Sequence, residues 1–331
     1  MSKQPSHNLA LDLVRVTEAA ALAAGRWMGR GKKEDGDRAA VDAMRLVLNS
    51  IDIDGVIIIG EGEKDEAPML FNSERLGTKD GPAVDIAVDP VEGTRLLAQG
   101  RMNSVATVAL AESGTMFNPG PIVYMHKLAV GPAGKGHIDI DAPVEDNLKV
   151  LARKKGADVD DLTVVILERP RHEDLIQRVR ETGARIRLIT DGDVAGAILA
   201  ATPGSGIDLL IGVGGTPEGV LTACALKCMD GEIQGRLYPR NEGEAKAARD
   251  LGYDLDKVLS IDDLVATEDI FFALTGITDG ELVDGVKYFG TGARTHSLVM
   301  RGVTGTVREV TATHRWDKLM EVSEIQYDRI G

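Results

Sequence analysis

Two carboxylates and a hydroxyl crowd the middle of DIAVDPVEGTRLLAQG, residues 85–100. An apolar run reaches Asp89, Pro90 turns the chain, and Glu92, Gly93 and Thr94 precede a segment with helical spacing. Pro90 fixes its own φ and Gly93 permits close backbone approach, so a tight corner here can aim Asp89 and Glu92 at one point. Hard divalent cations take oxygen ligands, and Mg²⁺ is commonly held by a few carboxylates plus substrate phosphate. The helix starting near Gly93–Thr94 points its free N–H groups at whatever the acids hold, which suits a phosphate. The Thr94 hydroxyl is then placed to orient or deprotonate a water. Three more acids, Asp37, Glu61 and Glu218, also follow a glycine-rich turn or a strand end. Taken singly, Asp37 and Glu218 could be plain helix-start acids favoured by the dipole. Asp-Pro-x-Glu-Gly-Thr, with Gly-Glu-Gly-Glu upstream at 60–63, is a stronger signal than any one acid.

Two further groups could recognise a substrate. Arg169 and Arg171 flank Pro170 just after an apolar run. They read either as a surface loop or as a bidentate grip on a second phosphate. Asp191-Gly192-Asp193 offers carboxylates to sugar hydroxyls, and helix caps would look the same.

These residues need elements to carry them. Leu9, Leu13, Val16, Ala20, Ala23 and Trp27 recur at helical spacing over 8–29. GKKEDGD then reads as a polar loop, with a second helix over 39–49 that Asp37 caps. Residues 56–60 and 83–88 are short apolar runs rich in β-branched residues, expected as buried strands that deliver Glu61, Glu63 and Asp89. Strands are also expected at 104–112 and 121–130. Strands at 162–167, 184–189 and 207–213 alternate with helices at 172–182, at 194–201 and, after GGTPEG, through Cys228. That order predicts a sheet with crossover helices. The segment 291–310 reads as a hairpin turning near Gly305. The fold class is therefore α/β, as two lobes, 1–160 and 161–331, with the boundary in RKKGADVDD.

Composition excludes several classes. The chain has 331 residues and a formal net charge of −14, which disfavours nucleic acid or an anionic membrane as partner. Bound cations can still reverse the sign locally for a phosphorylated substrate. No apolar run nears the roughly 18 residues of a membrane span, and the N-terminus lacks a signal-peptide core. Cys224 and Cys228 sit one helical turn apart, which suits a reducing cytoplasm better than a disulfide framework. Residues 50–61 approximate a calcium loop, but Val56–Ile59 fills it with apolar side chains. IGVGGTPEG (211–219) invites a dinucleotide-binding, oxidoreductase reading, but the third glycine of that fingerprint is missing. The six histidines show no zinc spacing, and there is no G-x-S-x-G elbow.

With these residues in place, the chain resembles the class II fructose-1,6-bisphosphatases along nearly its whole length. The markers are IIIGEGEKDEAPML (57–70), DIAVDPVEGT (85–94), YMHKLAVGPAGKGHIDI (124–140), ERPRH (168–172), RLITDGDVAGAI (187–198) and GVGGTPEG (212–219). The resemblance implies the lithium-sensitive sugar-phosphatase fold, with stacked alternating layers of helix and sheet. It implies removal of the 1-phosphate of fructose 1,6-bisphosphate, with phosphatases of sedoheptulose 1,7-bisphosphate or inositol phosphate as neighbouring readings. Mg²⁺ or Mn²⁺ would be the cofactor and a homodimer or homotetramer the assembly. Asp37 and Glu61 would hold one metal, and Asp89, Glu92 and Glu218 another. Thr94, Glu61 and Asp37 would be catalytic. Glu92, Gly93, Thr94, Tyr124, Arg169, Pro170, Arg171, Asp191, Gly192, Asp193 and Gly215 would contact the substrate, with Lys33 a weaker candidate. Arg38 departs from the pattern, standing where a small residue is expected, where it would crowd the loop or add a phosphate contact.

Overall fold

The computed structural model describes residues 8–61 and 70–329; Glu63 lies outside them. The chain divides into two compact units, residues 1–115 with 268–331 and residues 116–267. The expected boundary near 160 falls inside the second unit. The reason is strand pairing: Ile270–Gly276, from the last quarter of the chain, pairs antiparallel with Val105–Glu112. The local signal of a polar loop at 155–161 carries no information about that distant partner.

The first unit is built on an eight-stranded mixed sheet. Its spatial order is Lys287–Phe289, Gly292–Arg301, Ile270–Gly276, Val105–Glu112, Ala83–Glu92, Asp54–Ile59 and Arg75–Leu76, with Thr306–Arg315 paired to Gly292–Arg301. Helices Ala10–Ala24 and Lys33–Leu48 pack on it, and Leu13, Val16, Met44 and Leu48 meet Ile57, Ile86, Val88 and Val108 in one core. Asp54–Ile59 and Ala83–Glu92 run parallel, so their carboxyl ends share one edge of the sheet.

Two expectations about this unit change. The second helix begins at Lys33, not 39, so Asp37 lies in its second turn and caps nothing. Lys32, Lys33 and Glu34 are exposed, and Glu34 and Asp35 favour a helix start through the dipole. Pro90 makes no corner: the strand continues to Glu92. The expected hairpin is present, with Gly305 at φ 57° before Thr306–Arg315.

The second unit carries a five-stranded sheet in the order Arg185–Ile189, Thr163–Leu167, Leu209–Gly215, Tyr124–Val130 and Glu232–Tyr238. The first three run parallel and the last two antiparallel to their neighbours. Side chains alternate faces along a strand. Leu128 and Val130 join a core with helix Val144–Lys155 and with Ile176 and Val179 of helix Glu173–Glu181. Met125 and Lys127 point the other way, toward Gly219 of helix Thr216–Cys228. Helices therefore cover both faces, as the crossover pattern predicts. Helix Val144–Lys155, helix Glu242–Asp250 and strand Glu232–Tyr238 were not legible in advance.

Candidate active site

In the first unit the spacing of Asp89 and Glu92 has a geometric meaning. Three residues apart on a regular strand, they would face opposite sides of the sheet. Here Asp89 lies opposite Thr107 and Glu92 opposite Val105, so one strand spends three steps against its partner's two. This one-residue bulge returns Glu92 to the face of Asp89. It is pinned from the adjacent segment 104–107: the Thr107 hydroxyl donates to Asp89 O at 3.3 Å and the Ser104 hydroxyl to Glu92 O at 3.2 Å. Val91 N–H donates to Asp89 Oδ1 at 3.1 Å, a local bond within the bulge. Gly93 then takes φ 83°, a left-handed conformation that costs glycine little, and the helix Thr94–Gln99 begins. Thr94 Oγ1 donates to Val91 O at 3.1 Å.

Glu61 arrives from the neighbouring parallel strand. Its N–H donates to Leu70 O at 2.7 Å, which turns the chain after Ile59. Burial first, and then the charges of Asp37 and Glu92, push the Glu61 carboxyl up to about 7. Burial also raises Asp37, with Lys33 opposing and Glu34 reinforcing. The structure therefore brings Asp37, Glu61 and Glu92 into one electrostatic neighbourhood, with Lys33 as a counter-charge. Asp37 Oδ1 is buried without a hydrogen-bond partner among the described residues. A buried carboxylate oxygen without a donor, among like charges, fits a cation, since burying an uncompensated charge is costly. Arg38 does not crowd this group; it is exposed and its charge acts on Asp42.

In the second unit the expected residues gather at the carboxyl ends of three parallel strands, where α/β sheets place ligands. Arg169–Arg171 follow Thr163–Leu167, Asp191–Asp193 follow Arg185–Ile189, and Gly215 ends Leu209–Gly215. Tyr124, the first residue of its strand, pairs directly with Gly215. Arg169 reaches Asp191 at 2.9 Å. Arg171 donates to Val213 O at 2.6 and 3.2 Å, and its guanidinium sits 5.1 Å from the Tyr124 ring centroid. Two of the three guanidinium nitrogens are thus committed to holding the loop. Asp193 is the first residue of helix Asp193–Ala201 rather than a cap, and Glu218 sits in the first turn of helix Thr216–Cys228.

Two residues gained no role from sequence. His172 Nδ1 lies 2.7 Å from Leu167 O, and its Nε2 accepts from Val213 N–H at 2.8 Å. The ring, neutral with its proton on Nδ1, ties the Arg169–Arg171 loop to two strands, and burial lowers its basicity. Lys127 is buried, with Nζ 2.6 Å from Asp193 Oδ2. A lysine inside the apolar strand YMHKLAV was the available signal, because lysine is almost never buried unpaired.

The model of the bacterial fructose-1,6-bisphosphatases, glpX-encoded, matches residues 7–314. The chain is 45% identical over 323 residues to fructose-1,6-bisphosphatase 1 class 2 of Escherichia coli K12, covering 94% of this chain and 96% of that protein. It is similar to the same degree and over the same shares to fructose-1,6-bisphosphatase class 2 of Shigella flexneri. No helix among the described residues is long and apolar enough to cross a membrane.

Proposed function

This chain belongs to the bacterial fructose-1,6-bisphosphatase family, and from that premise we propose that it hydrolyses the 1-phosphate of fructose 1,6-bisphosphate, releasing fructose 6-phosphate and inorganic phosphate. The observation that carries the reading is the crowding of Asp37, Glu61 and Glu92, with a buried Asp37 oxygen that has no hydrogen-bond donor among the described residues. Asp37 and Glu61 would hold one divalent cation, Mg²⁺ or Mn²⁺, and Asp89 and Glu92 would offer carboxylates to a second. Bound there, such cations supply charge neutralisation for the phosphoryl oxygens and acidify water.

The chain's own groups do the rest. Thr94 commits its hydroxyl proton to Val91 O, so its lone pairs are left to accept a hydrogen bond from the attacking water. That contact aims the water at phosphorus, in line with the leaving sugar oxygen. The N–H groups at Gly93 and Thr94 meet charge on the phosphoryl oxygens. Asp191 and Asp193 accept from sugar hydroxyls. Tyr124, Gly215 and the Arg169–Arg171 loop hold the distal end, with Arg171 directed at the second phosphate. The enzyme works as a cytoplasmic homodimer or homotetramer.

The test is phosphate release from fructose 1,6-bisphosphate with Mg²⁺, with Mn²⁺ and with chelator. One phosphate per sugar, ion-dependent, with fructose 6-phosphate as product, is expected. Folded protein that releases none with either ion refutes the reading. Preferred turnover of sedoheptulose 1,7-bisphosphate or inositol phosphate would reassign the substrate.

A further inference from the structure

We infer that Lys127 is a positioning residue for sugar recognition, a buried ammonium that fixes Asp193 and the Gly215 carbonyl relative to each other. The inference rests on the reading of Asp193 and Gly215 as substrate contacts. Lys127 is 1% exposed, in the middle of strand Tyr124–Val130. Its Nζ is 2.6 Å from Asp193 Oδ2 and donates to Gly215 O at 3.0 Å. The Asp193 contact is an ion pair off hydrogen-bond alignment, and the Gly215 contact is a directed hydrogen bond. One cation thus bridges the first residue of helix Asp193–Ala201 and the last residue of strand Leu209–Gly215. Both segments end at the sheet edge where the sugar contacts gather.

The glycine run is shaped around this pair. A Cβ on Gly214 would collide with Asp193 Oδ2 and come within 2.9 Å of Lys127 Nζ. A Cβ on Gly219 would sit 3.4 Å from Lys127 Cδ. GVGG therefore resembles a dinucleotide fingerprint for an unrelated reason: Gly214 leaves room for a buried ion pair. A buried pair costs desolvation that its attraction only roughly repays, so it is weak evidence of a stability role. Its geometry, by contrast, sets which way the Asp193 carboxylate faces.

The test compares wild type, Asp193→Asn, Lys127→Met and the double variant. The substrates are fructose 1,6-bisphosphate and p-nitrophenyl phosphate, which lacks the sugar. Lys127→Met is expected to raise KM for the bisphosphate about tenfold or more, with kcat/KM for the aryl phosphate within about threefold of wild type. The double variant is expected to match Asp193→Asn within about twofold, because both changes remove one interaction. It also carries no uncompensated buried charge, so it stays measurable if Lys127→Met alone fails to fold. Equal losses on both substrates, or a double variant about tenfold worse than Asp193→Asn, would overturn the inference. If Asp193→Asn itself leaves KM unchanged, the substrate reading of Asp193 falls first, and with it the role given to Lys127.

Discussion

The Thr94 hydroxyl is the one uncharged side chain assigned to the chemistry, which makes its removal informative. Thr94→Ala deletes the acceptor for the attacking water but no carboxylate, and it removes the Thr94 Oγ1 hydrogen bond to Val91 O. Turnover is expected to fall about 10²-fold, the usual scale for losing one positioned proton-handling group. Steady-state kinetics supply that number, and the ion-dependent rise in melting temperature should survive in the same variant. Turnover near wild type would remove Thr94 from the mechanism. At this scale the positions of Glu61, just past strand Asp54–Ile59, and of Asp89, on strand Ala83–Glu92, were legible because each follows a short apolar run rich in β-branched residues. The geometric reason for the Asp89–Glu92 spacing was not, since a bulge is defined by its partner strand and Val105 and Thr107 are named nowhere in the motif. Lys127 was passed over because pattern reading sees one polar residue in an apolar run and cannot see the Asp193 that meets it.

Helix Ala10–Ala24 packs on the large sheet with polar side chains at the contact. Thr275 Oγ1 donates to Thr17 Oγ1 at 2.7 Å and lies 2.7 Å from Ser297 Oγ. Glu18 accepts from Thr295 Oγ1 at 3.0 Å, which in turn sits 2.8 Å from His314 Nε2. Burial raises the Glu18 carboxyl from 4.5 to about 7, against smaller opposing effects of Thr295 and Arg15, and burial lowers His314. The folded chain therefore keeps a proton on Glu18 that the unfolded chain releases near 4.5. Stability falls as pH climbs between those values, and the penalty is complete above about 7. At about 1.4 kcal/mol per pH unit, the gap is worth on the order of 3 kcal/mol. Glu18→Gln should thus melt higher than wild type above pH 7 and equally at pH 4. A gap in melting temperature that does not grow across that window would count against a buried, proton-holding Glu18. The periodicity of this helix was readable, but Thr17 and Glu18 looked like any polar residues on a helix. Their burial follows from the strands Ile270–Gly276 and Gly292–Arg301, which arrive more than 250 residues later.

The whole molecule carries a net charge of −14, and its like charges converge at Asp37, Glu61 and Glu92. A cation that binds only the folded state stabilises it by mass action, by about 2.7 kcal/mol at a hundred times its dissociation constant. Melting temperature should therefore rise with Mg²⁺ or Mn²⁺ and return with chelator, and Asp37→Asn should lose most of the gain. An equal rise from potassium chloride at matched ionic strength would reduce the effect to screening of the overall charge. Fold class was legible at this scale because hydrophobic periodicity is local. The division of the chain was not, because the first unit is discontinuous: residues 1–115 and 268–331 share one sheet, with residues 116–267 as an insertion. That discontinuity sets the order of events on the ribosome. Strand Val105–Glu112 emerges with one edge unpaired, and its partner Ile270–Gly276 has not yet been translated. An unpaired edge is a template for foreign pairing, whereas the inserted unit already has every strand of its own sheet. The nascent chain must carry an open edge through the synthesis of roughly 150 residues, several seconds or more at about 5–20 residues per second. The burden on chaperones therefore falls on the beginning of this protein and lifts only near its end.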